Sequence, residues 1–247
     1  MNSNVKRALN RGELIIGIDA DDTLWENEAG FDDIQNRFFK LMHQWSEVSE
    51  THSLLLKTER LSIPKFGYGV QGFVRSMITT SIELSAGEIS ASKISEIISW
   101  GDELIDAPVD LLPGVKKTLQ IISKTNQLLL ITKGDNTHQR AKVAASGIAH
   151  FFCDIEVVGE KNTDTYKSLL KRHRIEPLDF VMVGNSVVSD VLPVIAIGSM
   201  AVHIPHHSTW ELEIPKTEEI KGIDFPVLET IEELPILIES WTDIKNG

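Results

Sequence analysis

Leu14-Ile15-Ile16-Gly17-Ile18-Asp19-Ala20-Asp21-Asp22-Thr23-Leu24 is an apolar run that ends in three carboxylates within four positions. A short, continuously apolar run bounded by polar residues reads as a strand buried on both faces, as in a parallel sheet. Asp19 and Asp21 follow it two residues apart, so the period of a strand points both side chains the same way. Open α/β sheets form their ligand sites outside the carboxyl ends of their strands. Carboxylates this close repel one another unless a cation or a shared proton relieves them. The simplest chemistry for the cluster is a hard divalent metal, with one carboxylate left to attack an electrophile or to move protons.

Downstream the periodicity changes. From Phe31 to about Ile105 apolar residues recur at helical spacing. Phe31, Ile34, Phe38, Leu41, Met42 and Trp45 mark a first helix, and Leu54, Leu55 and Leu61 a second. Val70, Phe73, Val74, Met77 and Ile78 mark a third, and Ile89, Ile94, Ile97 and Ile98 a fourth. Strand and helix then alternate to near Pro205. Strands are expected at Leu128–Ile131, Phe151–Val158, Phe180–Val183 and Met200–Ile204. Helices are expected from Pro113-Gly114 toward Lys124, then at Asn136–Ser146, Thr163–Arg174 and Val187–Ile197, with a closing helix over Thr230–Trp241. This alternation predicts an α/β fold, a doubly wound parallel Rossmann-like sheet. Residues 1–26 and 108–247 make its core, and an all-helical cap domain is inserted over 27–107.

Composition narrows the partners. The formal net charge of -12 argues against a nucleic-acid surface or an anionic membrane partner. Cys153 is the single cysteine, so no disulfide framework or cysteine metal site is expected within the chain. Met1–Gly12 is polar and lacks the apolar core of a signal peptide. A cytoplasmic protein is expected; oligomeric state is not read.

Three later strand ends carry further chemistry. In Leu128-Leu129-Leu130-Ile131-Thr132-Lys133-Gly134, a strand-end hydroxyl can donate to a phosphate oxygen. In Gly159-Glu160-Lys161-Asn162-Thr163, a lysine just before a helix start is disfavoured by the helix dipole, which points to a local functional reason. Lys167 competes with it but lies inside the helix. The last stretch is Val181-Met182-Val183-Gly184-Asn185-Ser186-Val187-Val188-Ser189-Asp190. Alone, Thr132 could bind backbone, Lys161 be solvated and Asp190 cap a helix; what counts is all of them in order at successive strand ends.

With Asp-x-Asp-x-Thr-Leu at Asp19–Leu24, these stretches resemble the haloacid dehalogenase superfamily over Leu14–Leu24 and Pro113–Pro205. The resemblance implies a magnesium-dependent phosphatase that hydrolyses a small phosphorylated metabolite through an aspartyl-phosphate. It makes Asp19 the nucleophile, Asp21 the acid and base, and Thr132 and Lys161 the phosphate-binding pair. Lys133 stands where many relatives have asparagine and is a candidate substrate contact. Asp19, the Asp21 carbonyl and Asp190 would hold Mg2+, with Asn185 in the place of a common aspartate. The usual proline after Lys161 is missing. The same superfamily offers a metal-free dehalogenase, which has no need of Asp21, and a phosphomutase, which shares every motif. A non-catalytic binding module is the reading that Asn185 favours. Trp25 could line a substrate entrance or pack. His138, Arg140, His206 and His207 read as exposed or loop positions, and Trp210 has no assigned role.

Overall fold

A computed structural model describes residues 14–246. The chain divides into two compact units, Asn27–Pro108 and the remainder on either side of it.

The remainder is built on a five-stranded parallel sheet in the order β3-β2-β1-β4-β5. In chain order, β1 is Ile15–Ile18. The helices of the other unit follow: α1 (Glu28–Met42), α2 (Val48–Phe66), α3 (Val70–Leu84) and α4 (Ala91–Asp106). Then come α5 (Val115–Ile122), β2 (Gln127–Lys133), α6 (Asn136–Ala145), β3 (Asp154–Val158) and α7 (Thr163–His173). The chain continues through β4 (Phe180–Gly184), α8 (Leu192–Ile195), β5 (Met200–His203), α9 (Thr217–Ile220) and α10 (Leu234–Asn246).

Strand alternation splits the core in two. Leu14, Ile16 and Ile18 join Leu128, Leu130, Val181 and Val183 on one face, under Val115 and Leu119 of α5 and Leu234 and Ile238 of α10. Ile15, Leu129, Ile131, Phe180 and Met182 join Tyr166, Leu169 and Leu170 of α7 on the other. Both faces are covered, which is why the strands read as unbroken apolar runs. Gly17 sits at the centre of β1, where a Cβ would lie 2.7 Å from the Phe180 ring, so the space is already filled by neighbouring strands.

In the helical unit, Ile34, Phe38, Met42, Leu55, Phe73, Met77 and Trp100 form one core. The inward side of α2 departs from the expected apolar stripe. Thr51, Glu59 and Ser62 are buried there, and Leu61 is 63% exposed. Ser62 Oγ lies 3.3 Å from Ser76 Oγ, and Thr58 Oγ1 3.3 Å from Thr80 Oγ1, so hydroxyls face hydroxyls across α2 and α3. Hydrogen-bonded pairs of this kind can be buried at little cost.

Two expected elements are shorter than their apolar runs. Phe151 closes a 3-10 turn, and β3 begins only at Asp154. The expected helix over Val187–Ile197 is a π turn, Val187–Val191, followed by the short α8. Pro193 supplies the reason: it has no N–H to donate to the carbonyl of Ser189 four residues back. That carbonyl instead accepts the Tyr166 hydroxyl at 3.1 Å. Tyr166→Phe is therefore expected to cost about 1–3 kcal/mol by removing the hydroxyl donor from a buried carbonyl, measured as the shift in the urea unfolding midpoint at unchanged slope.

Candidate active site

Four devices deliver side chains to the carboxyl ends of β1, β3 and β4. The Asp19 N–H donates to the Val183 carbonyl at 2.9 Å, carrying the β1–β4 pairing one residue past the strand. The chain then turns sharply through Asp22, which has φ 57, and the Leu24 N–H closes on Ala20 at 2.8 Å. Asn162 caps α7 by accepting from the Thr165 N–H at 3.0 Å, so Lys161 stays just outside the helix. At Gly184 a Cβ would fall 2.2 Å from Asp190 Oδ2, so only glycine lets that carboxyl pack against the end of β4.

The result is a buried charge cluster. The Lys161 ammonium donates to Asp19 Oδ1 and, at 2.7 Å, to Asp190 Oδ1. The Asp190 side chain is fully buried and that of Lys161 is 2% exposed. Asp190 Oδ2 also accepts the Ser186 N–H at 3.0 Å. Thr23 Oγ1 lies 3.4 Å from both Asp19 Oδ2 and Asn185 Oδ1 and accepts the Asn185 N–H at 3.1 Å. Burial pushes the Asp19 carboxyl up to about 7 against the pull of Lys161, with the Asp190 charge adding to the rise. Burial alone would lower Lys161, but the two carboxylates outweigh it and hold the ammonium above its ordinary value. One ammonium thus leaves two buried carboxylates short of a positive charge. The donors gathered there, carboxylates and an amide with the Asp21 carbonyl close in sequence, are all hard oxygens, the set that suits Mg2+.

Asp21 is held apart from this cluster. Its Oδ1 accepts Trp25 Nε1 at 2.7 Å and the Lys142 ammonium, and its Oδ2 accepts Gln139 Nε2 at 2.7 Å. Burial raises this carboxyl, but Lys142 and the hydrogen bonds outweigh that and leave it below its ordinary value. Thr132 is buried at the penultimate position of β2, beside β1. The Lys133 ammonium bonds Glu213 and, at 2.9 Å, Ser189 Oγ. Glu213 in turn accepts Ser186 Oγ and, at 2.7 Å, Ser189 Oγ.

Asp19, Lys161, Asp190 and Asn185 are therefore brought together, while Asp21 and Lys133 each have their own partners. Reading the sequence missed Thr23, Gln139, Lys142 and Glu213. Gln139 and Val143, four residues apart, are the buried residues of α6. His206, read as a loop position, has a side chain only 5% exposed, with Nε2 3.2 Å from Glu26 Oε2.

A family model of haloacid dehalogenase-like hydrolases matches residues 15–198. The chain belongs to this family. The hydrolase is similar to a haloacid dehalogenase-like hydrolase from Xanthomonas campestris at 30% identity, with a TM-score of 0.82 over 96% of this chain and 95% of that one. The L-2-haloacid dehalogenase of Xanthobacter autotrophicus shares the fold, with 14% identity and a TM-score of 0.64 over 92% of this chain and 98% of that one. Among curated proteins it is similar to the glyceraldehyde 3-phosphate phosphatase of Pyrococcus furiosus, at 27% identity over 134 residues. That match takes in 52% of the hydrolase, which spans about half the length of the relative, 53%. Among the described residues no helix is long and apolar enough to cross a membrane.

The close approach at Gly184 yields a test of how the cluster is held. Gly184→Ala is expected to push Asp190 off Lys161 and to destabilise the hydrolase by about 1–3 kcal/mol. Gly159→Ala, where a Cβ meets nothing within 4 Å, is the control and is expected to change little. Thermal unfolding of the two variants reads the difference.

Proposed function

We propose that the hydrolase is a magnesium-dependent phosphatase of small phosphomonoesters, working through an aspartyl-phosphate on Asp19. The observation that carries this reading is the buried contact of Lys161 with both Asp19 and Asp190. A nucleophilic carboxylate facing a phosphate dianion meets strong repulsion, and a fixed ammonium against it is what lowers that barrier. Asp19 attacks phosphorus as the bond to the leaving oxygen breaks. Asp21, an anion in the free site, takes up a proton as the phosphate dianion enters beside it, gives it to that oxygen, and later takes one from the water that releases phosphate from Asp19. The Thr132 hydroxyl and the Lys161 ammonium hold phosphoryl oxygens. Mg2+ would be held by Asp19, Asp190, the Asp21 carbonyl and Asn185. When bound it supplies the positive charge that the carboxylate pair lacks and polarises the phosphoryl group.

A dehalogenase reading gains no support from the site, because that chemistry uses neither a second carboxylate with its own set of donors nor a hard-oxygen metal site. The phosphatase from Pyrococcus furiosus supports a phosphoester and makes three-carbon phosphates the first substrates to screen. Phosphorylated metabolites and a lone thiol at Cys153 both fit a cytoplasmic setting.

The test is hydrolysis of p-nitrophenyl phosphate with Mg2+ and with EDTA. Turnover is expected with Mg2+ alone, and Asp19→Asn is expected to lose at least about a thousandfold, in line with removal of a covalent nucleophile. Activity retained in Asp19→Asn, or unaffected by EDTA, contradicts the reading.

A further inference from the structure

Among the described residues, Asp21 takes two of its partners from a crossover helix rather than from the strand ends. Lys142 and Gln139, three residues apart on one face of α6, both reach it, and Trp25 completes the set. A carboxylate offers about four lone-pair positions. Among the described residues, two donors fill Oδ1 and one occupies Oδ2, so a single open position remains, on Oδ2. Three fixed donors also hold the plane of the group, which one donor would leave free to rotate.

Gln139 is itself oriented. Its Nε2 serves both Asp21 Oδ2 and the Lys133 carbonyl, at 2.7 and 3.1 Å, so both amide hydrogens are spent. Its Oε1 is buried with no hydrogen-bond partner among the described residues. A buried acceptor left unpaired is unfavourable and calls for an explanation. Turning both N–H groups toward acceptors, one of them Asp21, supplies it. Gly134 keeps this amide in place, since a Cβ there would lie 3.1 Å from Gln139 Nε2. The Lys142 ammonium in turn lies over the Trp25 ring, 5.8 Å from its centroid.

We propose that Lys142 and Gln139 are positioning residues that hold Asp21 so that Oδ2 alone exchanges the proton in both halves of the reaction. This rests on the phosphatase reading. In the first half, Asp21 Oδ2, protonated from solvent as the phosphate dianion enters beside it, gives that proton to the leaving oxygen. The P–O bond to that oxygen breaks as the Asp19–phosphorus bond forms. In the second, water oxygen bonds phosphorus, the Asp19–phosphorus bond breaks, and the water proton returns to Asp21 Oδ2. Lys142 meanwhile faces the carboxylate that appears on Asp21 each time the proton leaves.

The test compares two aryl esters of nearly equal shape. p-Nitrophenolate leaves readily as an anion, whereas phenolate is a poorer leaving group and gains far more from a proton in flight. With Mg2+ present, kcat/KM reports the half-reaction in which that group departs. Lys142→Met is expected to lose about tenfold or more on phenyl phosphate and less than about threefold on p-nitrophenyl phosphate, a part of the 10²–10⁴ that a general acid contributes. Lys142→Arg should restore most of the phenyl phosphate rate. Gln139→Leu, of similar volume, should show the same ester dependence and carries the test if Lys142→Met does not fold. Asp21→Asn should show the pattern in its strongest form.

Equal losses on both esters, or no loss on either, overturn the proposal. Failure of the phosphatase reading is separately visible: the wild-type protein would then turn over neither ester, or Asp19→Asn would remain active.

Discussion

The rest of the structure depends on the ammonium of Lys161 lying between two buried carboxylates. Taking Asp19, Asp190 and Lys161 out of water costs several kcal/mol per ion, and mutual attraction repays it only in good geometry with the remaining lone pairs satisfied. The surrounding chain supplies those conditions. Asn162 stops α7 one residue after Lys161, Gly184 leaves room for Asp190, and the Ser186 N–H donates to its second oxygen. Removing one member of such a cluster typically costs about 3–5 kcal/mol, because the others stay buried without compensation. With Asp19 ionised, the cluster carries one more negative charge than positive, an imbalance that a bound cation would offset.

A second polar network lies beside the first and keeps its charges separate. Glu213 takes the Lys133 ammonium and the hydroxyls of Ser186 and Ser189. It comes from the segment after β5, distant in sequence from the residues it binds. Burial raises the Glu213 carboxyl, but Lys133 and the hydroxyls bring it below its ordinary value, so it is held as an anion. Ser189 belongs to the π turn that Pro193 and Tyr166 create, so the same irregular turn presents Asp190 to Lys161 and Ser189 to Glu213.

Much of this was legible in the sequence because it follows from period and punctuation. The apolar run into Asp19 marked β1, and the later alternation of runs marked a parallel α/β sheet that the family match and solved relatives bear out. What escaped the sequence is polar burial. The inward side of α2 is made of hydroxyls that pair across to α3, and these carry no hydrophobic period. Lys142 and Gln139 sit on a helix whose polar composition reads as solvated until Asp21 is seen against it. Glu213 gives no local sign of its partners. The break at Pro193 was visible as a proline, but only the Tyr166 hydroxyl explains how the chain accommodates it.

In the proposed reaction a carboxylate oxygen of Asp19 receives the phosphoryl group. Acid quenching of Asp21→Asn during turnover of p-nitrophenyl phosphate with Mg2+, followed by peptide mass spectrometry, tests this directly. That variant lacks the base for the second half-reaction, so a phosphoryl group is expected on the peptide carrying Asp19. Phosphate release with no phosphoryl group at Asp19, or a phosphoryl group on another residue, would contradict the account.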